Sequence, residues 1–336
     1  HSEKDFSGLS DELQKQLKYI KNYNWIKDVP HGSLAHQLDK LDLAYKVFFK
    51  THKKGGGFPK FKSKKSKYSI LLKQEKAIIC VTGNKINLPK IKELKFHKDS
   101  PIEGNIKTAT VVKEATGWFI CITTDAVKNI SNKDENQVIG LDMGIAHFAT
   151  DSNGNHIENP KHFKKYEAKL RIENRSLARK KKGSNGWKKQ AQKLARLHHA
   201  IGNVRRDFLH KHSTEIAKNF NIVYLEDLNV KGMVKGNLAK GISDAGWGTF
   251  RTMLEYKTNV IAINPKYTSQ TCNECGEKDS KSRINQSEFA CTSCGHLSNA
   301  DINAAKNILD KGIVLVRKRE ALACAQNLKY TLVYVR

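Results

Sequence analysis

Apolar side chains recur at two spacings, and the change between them divides the chain. Residues 1–54 and residues 161–220 repeat apolar side chains every three or four positions, which predicts helices. Residues 68–128 instead contain short runs of β-branched and aromatic residues separated by Gly, Asn and Pro, which predicts the strands of a small, curved β-domain. The polar stretch 128–137 is typical of a domain boundary. The pattern therefore predicts a multidomain α+β protein.

Two apolar runs end in an acidic residue. The run that begins at Val138 leads into Asp142, and a second run leads into Glu226. Burying a carboxylate costs free energy unless a partner compensates for it. In an extended strand, Glu226 shares a face with the apolar Tyr224 whereas Asp227 points the opposite way, so Glu226 is the better candidate for a functional role.

A third acid stands at the start of a predicted helix. Asp301 lies in the first turn of this helix, whose apolar stripe continues to Leu309, and Gly312 is a suitable end for it. Alone, Asp301 is typical of a helix cap or of an acid favoured by the helix dipole. Together with Asp142 and Glu226, it completes a set of carboxylates that suits two Mg²⁺ ions bridging a phosphodiester, one activating water and one stabilising the leaving oxygen.

Four of the seven cysteines form two Cys-x-x-Cys-Gly pairs separated by fifteen residues. The first pair is Cys272 and Cys275, and the second is Cys291 and Cys294. Each pair predicts a tight turn that presents two thiolates, and four thiolates make a closed, structural zinc site. A redox function is the alternative, but it would need only one pair. The odd cysteine count in a large basic chain indicates a reducing compartment rather than a disulfide framework.

The charge balance predicts a polyanionic partner. The 336 residues include 60 Lys plus Arg against 33 Asp plus Glu, a net charge of +27. Nucleic acid is the first candidate for this partner, and an anionic membrane surface is the second. No run of about 18 apolar residues is present, so we expect no transmembrane helix.

Two segments concentrate the positive charge. The glycine-containing segment 53–67 interleaves aromatic residues with its cations, and the helices after residue 161 carry charges of nearly one sign. Solvated surfaces are the alternative interpretation, but a helix that needs only solubility usually mixes signs. The predicted phosphate contacts are Lys60, Lys62, Lys64, Lys65, Arg179, Lys180, Lys181, Lys182, Arg205 and Arg206.

The motifs, taken in order, resemble those of the TnpB family of transposon-encoded RNA-guided nucleases, which are related to type V CRISPR effectors and to Fanzor proteins. The resemblance covers nearly the whole chain. It is carried by "GGGFPKFKSK", "IGLDMGIAHFATDSNG", "YLEDLNVKGM", "YTSQTCNECG" and "CTSCGHLSNADINAAKNIL".

The resemblance implies a RuvC-type nuclease domain of RNase H-like fold with an inserted zinc ribbon. The family's metal-binding acids fall on Asp142, Glu226 and Asp301, with Mg²⁺ as the catalytic and Zn²⁺ as the structural metal. The partners would be a guide RNA from the transposon end, at one protein per RNA, and target double-stranded DNA beside a short adjacent motif. We expect a cytoplasmic, nucleoid-associated protein of a bacterium or archaeon, with no membrane partner.

The resemblance also implies a division into domains. The expected parts are a helical recognition domain (1–54), a wedge β-barrel (55–136), a RuvC-like domain (137–270 and 296–311), a zinc ribbon (271–295) and a C-terminal tail (312–336). The family usually begins with a further strand and helix turn before His1, so we expect part of the wedge domain to precede the covered chain. The passage "LEYKTNVIAINP" is also shorter than usual.

Three other functions remain as alternatives. A nuclease-inactive DNA-binding repressor would be expected to lack at least one of the three acids, all of which this chain retains. A transposase or transposase accessory protein would use similar metal chemistry, but the sequence offers no separate DNA-end-binding helix-turn-helix. A zinc-ribbon nucleic-acid binder would leave Asp142 and Glu226 unexplained.

Overall fold

The computed structural model describes residues 28–60, 68–73, 79–98, 100–126, 137–233 and 239–333. The chain divides into two compact units, His1–Lys128 and Asn129–Arg336. Both units contain helices and strands, so the mixed α/β, multidomain architecture predicted from the sequence is confirmed. The part of the predicted helical pattern that precedes residue 28 lies outside the described residues.

The first unit combines one helix with two small antiparallel sheets. Helix α1 spans His31–Thr51, and the carbonyl oxygen of Pro30 accepts hydrogen bonds from the N–H groups of Ser33 and Leu34 in its first turn. The strands are β1 Ser69–Lys73, β2 Cys80–Thr82, β3 Lys85–Leu88, β4 Lys92–Lys95, β5 Ile106–Glu114 and β6 Gly117–Thr124. One sheet has the order β1-β5-β6 and the other β2-β3-β4. The strands predicted within residues 68–128 are therefore present.

Alternation along the strands creates the core of this unit. In β3, Ile86 and Leu88 are buried while Lys85 and Asn87 are exposed, as a two-residue period requires. The buried core consists of Leu72, Ile79, Ile86, Leu88, Ala109 and Val111.

The second unit is built on a five-stranded sheet with the order β11-β10-β7-β8-β9. Strands β7, β10 and β11 are parallel to one another, whereas β8 and β9 are antiparallel additions. The strands of this sheet are β7 Val138–Met143, β8 His147–Asp151, β9 His156–Glu158, β10 Ile222–Glu226 and β11 Asn259–Ile263. Strands β12 Glu288–Ala290 and β13 Leu297–Asn299 form a separate two-stranded sheet. The helices are α2 His162–Ala178, α3 Asn185–Asn219, α4 Val230–Met233, α5 Ala239–Ala245, α6 Trp247–Glu255 and α7 Ala300–Val333.

Helices cover both faces of the five-stranded sheet. On one face, Leu225 of β10 shares a core with Leu209 of α3 and Phe250 of α6. On the other face, Tyr224 packs with Ile308 of α7. Burial on both faces explains why β7 and β10 are continuous apolar runs in the sequence. No helix within the described ranges is both long and apolar enough to cross a membrane.

The prediction that Gly312 ends the last helix is wrong, because α7 continues through it to Val333. Gly312 instead lies against Tyr224, and a Cβ atom at this position would overlap the tyrosine ring. Gly140 of β7 has a similar function, since a Cβ there would overlap the carbonyl oxygen of Ala305. The two glycines therefore allow α7 to approach the sheet closely.

Gly312→Ala is expected to lower the free energy of unfolding by about 1–3 kcal/mol, because the added methyl group must displace the ring of Tyr224. The matched control is Gly202→Ala in α3, where nothing lies within 4 Å of an added Cβ. That substitution should raise the free energy of unfolding by about 0.5–1 kcal/mol, since alanine is the better helix former. Urea denaturation measures both changes, and stabilisation by both substitutions would contradict the close approach at Tyr224.

The passage from α6 to β11 requires only three residues. The N–H groups of Lys257 and Thr258 both donate to the carbonyl oxygen of Leu254 at 2.8 Å. The hydroxyl of Thr258 donates to the carbonyl oxygens of Phe220 and Asn221. Within the short "LEYKTNVIAINP" passage, residues 256–258 therefore form a closed, hydrogen-bonded turn that leads directly into β11.

Candidate active site and metal centre

The ends of two neighbouring strands bring Asp142 and Glu226 to one edge of the sheet. Strands β7 and β10 are parallel, and Leu141 is paired with Leu225. Asp142 and Glu226 are the next residues of the two strands, so their carboxylates occupy adjacent positions. Asp227, which points the other way, forms an exposed ion pair with Arg251 at 2.8 Å.

Asp301 lies in the first turn of α7, but it is not the residue that caps this helix. The side-chain oxygen of Asn299 accepts hydrogen bonds from the N–H groups of Asp301 at 2.9 Å and Ile302 at 3.2 Å. The capping function is therefore performed two residues earlier. The Asp301 carboxylate, 16% exposed, instead accepts a hydrogen bond from the guanidinium of Arg283 at 3.4 Å.

The other two carboxylates influence Asp142 electrostatically. Burial, followed by the negative charges of Glu226 and Asp301, raises the pKa of Asp142 to about 7, and the nearby cation of Arg283 opposes this rise. Burial also raises the pKa of Glu226, against the effect of a hydrogen bond from Thr268. A divalent cation would relieve this repulsion, and carboxylate oxygens are the ligands that Mg²⁺ prefers. The donor set therefore fits Mg²⁺.

In the metal-free protein, the contribution of Asp142 to the free energy of unfolding is expected to fall as the pH rises from about 4 to about 7. Asp142 is protonated in the folded state below its raised pKa, so the stability that its neutral form provides is lost as it ionises. Asp142→Asn cannot ionise, and its stability relative to wild type should increase by on the order of 4 kcal/mol across this range. Denaturation at several pH values in EDTA measures the difference, and a pH-independent difference would contradict the assignment.

The four clustered cysteines form a compact group. One potential ligand atom from each of Cys272, Cys275, Cys291 and Cys294 lies within 4.8 Å of the others. Among the residues that the structure describes, this is the one group of three or more metal-ligating side chains that meets this spacing, and the three acids stand further apart. The sulfurs of Cys272 and Cys294 are 3.8 Å apart, and those of Cys275 and Cys291 are 3.6 Å apart.

The backbone around the cysteines repeats one turn twice. The Gly276 N–H donates to the carbonyl oxygen of Cys272, and the Gly295 N–H donates to that of Cys291. Both glycines have positive φ, at 75° and 74°, which agrees with the predicted tight turns. Four sulfurs about 2.3 Å from a tetrahedral zinc lie about 3.8 Å from one another, so the spacing fits Zn²⁺.

The predicted nucleic-acid contacts lie in different environments. Six have exposed side chains: Lys60, Arg179, Lys180, Lys181, Lys182 and Arg206. Four of these cations occupy the turn between α2 and α3. Arg205 is half-buried and donates to Asp244 at 2.8 Å. Lys62, Lys64 and Lys65 lie outside the described residues.

Two residues near the acids were not singled out in the sequence. Thr268 contacts Glu226, and Arg283 contacts Asp301. Thr268 stands within "YTSQTCNECG", four positions before Cys272, and this closeness to the first cysteine pair is the one signal that could have indicated it. Nothing local marks Arg283, because its contact depends on how the cysteine-containing segment folds back onto α7.

Two family models match consecutive parts of the chain between residues 108 and 308. The OrfB_IS605 model, described as "Probable transposase", matches residues 108–237, and the model of the Cas12f1-like TNB domain matches residues 247–308. The second match includes both cysteine pairs and Asp301.

Similar proteins extend the comparison to nearly the whole chain. It is 35% identical over 335 residues to "Putative RNA-guided DNA endonuclease InsQ" of Escherichia coli K12, a match that covers 94% of this chain and 82% of InsQ. A "Putative RNA-guided DNA endonuclease" of Streptomyces pristinaespiralis is 32% identical over 325 residues, with 94% and 78% covered. Both relatives are named as endonucleases, so the class of protein that the comparison indicates is that of the nucleases.

The extent of these matches shows the family. The chain belongs to the TnpB family, which confirms the resemblance seen in its motifs. A cryo-EM structure of a Cas12f1–sgRNA–target DNA complex has a similar fold, with a TM-score of 0.52 at 15% identity over 89% of this chain and 75% of that one.

Proposed function

We propose that this protein is an RNA-guided DNA endonuclease that cleaves target double-stranded DNA next to a short adjacent motif. The observation that carries the proposal is the convergence of Asp142, Glu226 and Asp301, in which burial and then the charges of the other two acids raise the pKa of Asp142. The names of the similar proteins support the same activity. The guide RNA would derive from the transposon end.

The sheet of the second unit supports a RuvC-type, RNase H-like nuclease domain. Its order β11-β10-β7-β8-β9 places two acids at adjacent ends of the parallel strands β7 and β10, while α7 supplies the third. The cysteine-containing segment between β11 and α7 would be the zinc ribbon. The two small sheets of the first unit would belong to the wedge barrel, and α1 to the recognition domain.

Asp142, Glu226 and Asp301 would hold Mg²⁺, in a two-ion site. When bound, the metal would supply Lewis-acid stabilisation of the phosphodiester and a lowered pKa of bound water. The sheet and α7 hold the three carboxylates in partly buried positions, which limits their exposure to bulk water. The four cysteines would hold a structural Zn²⁺ that orders the ribbon next to Asp301.

The exposed cations would contact the phosphates of the guide RNA and of the RNA–DNA hybrid. Four of them are the consecutive residues 179–182 of the α2–α3 turn, and this run contains no acidic residue. Such contacts release counterions, so binding should weaken steeply with salt. Base pairing by the guide would supply sequence specificity, and the protein would contact the backbone.

Arg206→Ala is expected to weaken guide-RNA binding and to reduce the salt slope, d log K/d log[salt], by about 1 in magnitude, because Arg206 is exposed. Arg205→Ala is the matched variant one position away. It should leave the slope nearly unchanged but destabilise the fold by about 1–3 kcal/mol, since Asp244 would lose its half-buried partner. Filter binding at several salt concentrations, with denaturation of both variants, tests the pair, and equal slopes for Arg206→Ala and wild type would contradict the contact.

Cleavage of plasmid DNA tests the proposed function directly. The protein is co-expressed with its transposon-end RNA, and the target carries a randomised flank. Cleavage in Mg²⁺ but not in EDTA, beside one enriched flanking motif, is expected. Guide-dependent binding without cleavage would overturn the endonuclease proposal in favour of a DNA-binding repressor.

A further inference from the structure

The hydroxyl of Thr268 contacts Glu226 directly. Its Oγ1 donates to Oε1 of Glu226 at 2.5 Å, and it also lies 2.9 Å from the carbonyl oxygen of Pro265. A hydroxyl has one proton, and an ionised carboxylate is the stronger acceptor, so the proton goes to Glu226. Thr268 is 3% exposed, and water therefore does not replace this contact easily.

The same helix that carries Asp301 holds Thr268 in place. Asn307 of α7, 6% exposed, donates to the carbonyl oxygens of Thr268 at 2.9 Å and Thr271 at 2.6 Å. Asn307 lies less than two helical turns after Asp301. Asp301 and Asn307, the residue that holds the partner of Glu226, are therefore parts of one rigid element, α7.

The cysteine-containing segment is joined to this element by a second asparagine. Asn303, 0% exposed, donates to the carbonyl oxygen of Thr271 at 2.8 Å and accepts from the N–H of Asn273 at 3.0 Å. Thr271 and Asn273 are the two neighbours of Cys272. Hydrogen bonds therefore run from the first cysteine turn, through α7, to Glu226.

The backbone before Thr268 has a conformation that few non-glycine residues adopt. Tyr267 has φ of 67°, in the left-handed region. Its carbonyl oxygen accepts hydrogen bonds from the N–H groups of Gln270 and Thr271 and from the hydroxyl of Thr271. Such conformations persist where surrounding contacts determine them, and they cluster at functional sites. Here the conformation turns the chain so that Thr268 meets Glu226.

From these contacts we propose that Thr268 and Asn307 are positioning residues that orient Glu226 for a divalent cation, with the cysteine turn as their fixed support. The inference rests on the proposed function, since it takes Glu226 as a metal ligand. A carboxylate with one oxygen held by Thr268 loses less rotational freedom when its other oxygen binds a metal. Removal of such outer partners commonly costs about 10–100-fold in metal affinity.

Mn²⁺ binding to the zinc-loaded full chain tests the proposal without any measurement of cleavage. The free-ion EPR signal reports binding in the absence of nucleic acid. Thr268→Val keeps the side-chain shape without the hydroxyl and should weaken Mn²⁺ binding about tenfold, whereas Thr268→Ser should bind as wild type does. Thr258→Val is the matched control, because the hydroxyl of Thr258 donates to the backbone oxygens of Phe220 and Asn221 and not to an acid of the site. This variant should bind Mn²⁺ with the affinity of wild type.

Wild-type Mn²⁺ affinity in Thr268→Val would overturn the proposal. If that variant does not fold, Asn307→Ala provides the same measurement with the hydroxyl intact, and unchanged affinity there would overturn it equally. Failure of the proposed function has a different signature, namely that wild type and Asp142→Ala bind Mn²⁺ equally weakly. Affinity lost in Asp142→Ala but retained in Thr268→Val would remove only the positioning function.

Discussion

Asp142→Ala is expected to reduce target cleavage by at least about a thousandfold while guide-directed DNA binding is retained. Three powers of ten correspond to about 4 kcal/mol of transition-state stabilisation, a reasonable loss when a metal ligand is removed. Asp142 stands beside Glu226 at the ends of two parallel strands, and its raised pKa reflects burial and the charges of both other acids. The cations that we propose as guide contacts lie on other elements, so binding should persist.

The measurement compares cleavage rates and DNA affinities of the same protein–RNA complex. Asp227→Ala is the matched control, because Asp227 is the neighbour of Glu226 but forms an exposed ion pair with Arg251. It should cleave at a rate close to that of wild type. Full cleavage by Asp142→Ala would remove this carboxylate from the metal site, whereas loss of DNA binding would indicate a structural effect instead.

Cys272→Ser is expected to reduce zinc affinity by more than about a hundredfold and to destabilise the segment between β11 and α7. Serine cannot replace the thiolate, and the binding free energy of a structural zinc is also folding free energy. Cys272 is buried with Phe289, Cys291 and Ala300 in the small core of this segment. Cleavage should fall as well, because Arg283 and Asn303 connect the segment to the first turns of α7.

Native mass spectrometry measures the zinc content, and hydrogen exchange locates the loss of stability. Cys121→Ser is the control, since Cys121 is an exposed cysteine of β6 outside the cluster. It should retain the zinc and the stability of wild type. An unchanged metal content in Cys272→Ser would count against a four-cysteine site.

Structural features that depend on residue spacing within a short stretch of chain were predictable from the sequence. The apolar runs of β7 and β10 identified the buried strands because a parallel sheet covered on both faces needs apolar residues at every position. The spacing of the cysteine pairs identified the four-cysteine cluster, whose geometry fits zinc, because both turns depend on residues within six positions of each other. The acids could be selected because each interrupts or ends such a pattern.

Contacts between distant segments were not predictable in this way. Arg205 was grouped with Arg206 as a phosphate contact because both are basic, and only the folded chain shows Asp244 next to the first of them. Gly312 was assigned to a helix end, since glycine is common there, but the ring of Tyr224 is the reason for its lack of a side chain. The sequence pattern of one helix does not indicate which distant residues pack against it.

The sequence by itself determined the family of this protein, its buried strands, its cysteine pairs and the three acids, since each depends on local spacing and residue type. The tertiary structure alone decided which groups support those acids. Thr268 meets Glu226 across 42 positions of the chain, and Asn307 holds Thr268 across 39. Such contacts exist only after the sheet, the cysteine turn and α7 have packed together, because hydrogen bonds between distant residues depend on the path of the whole chain.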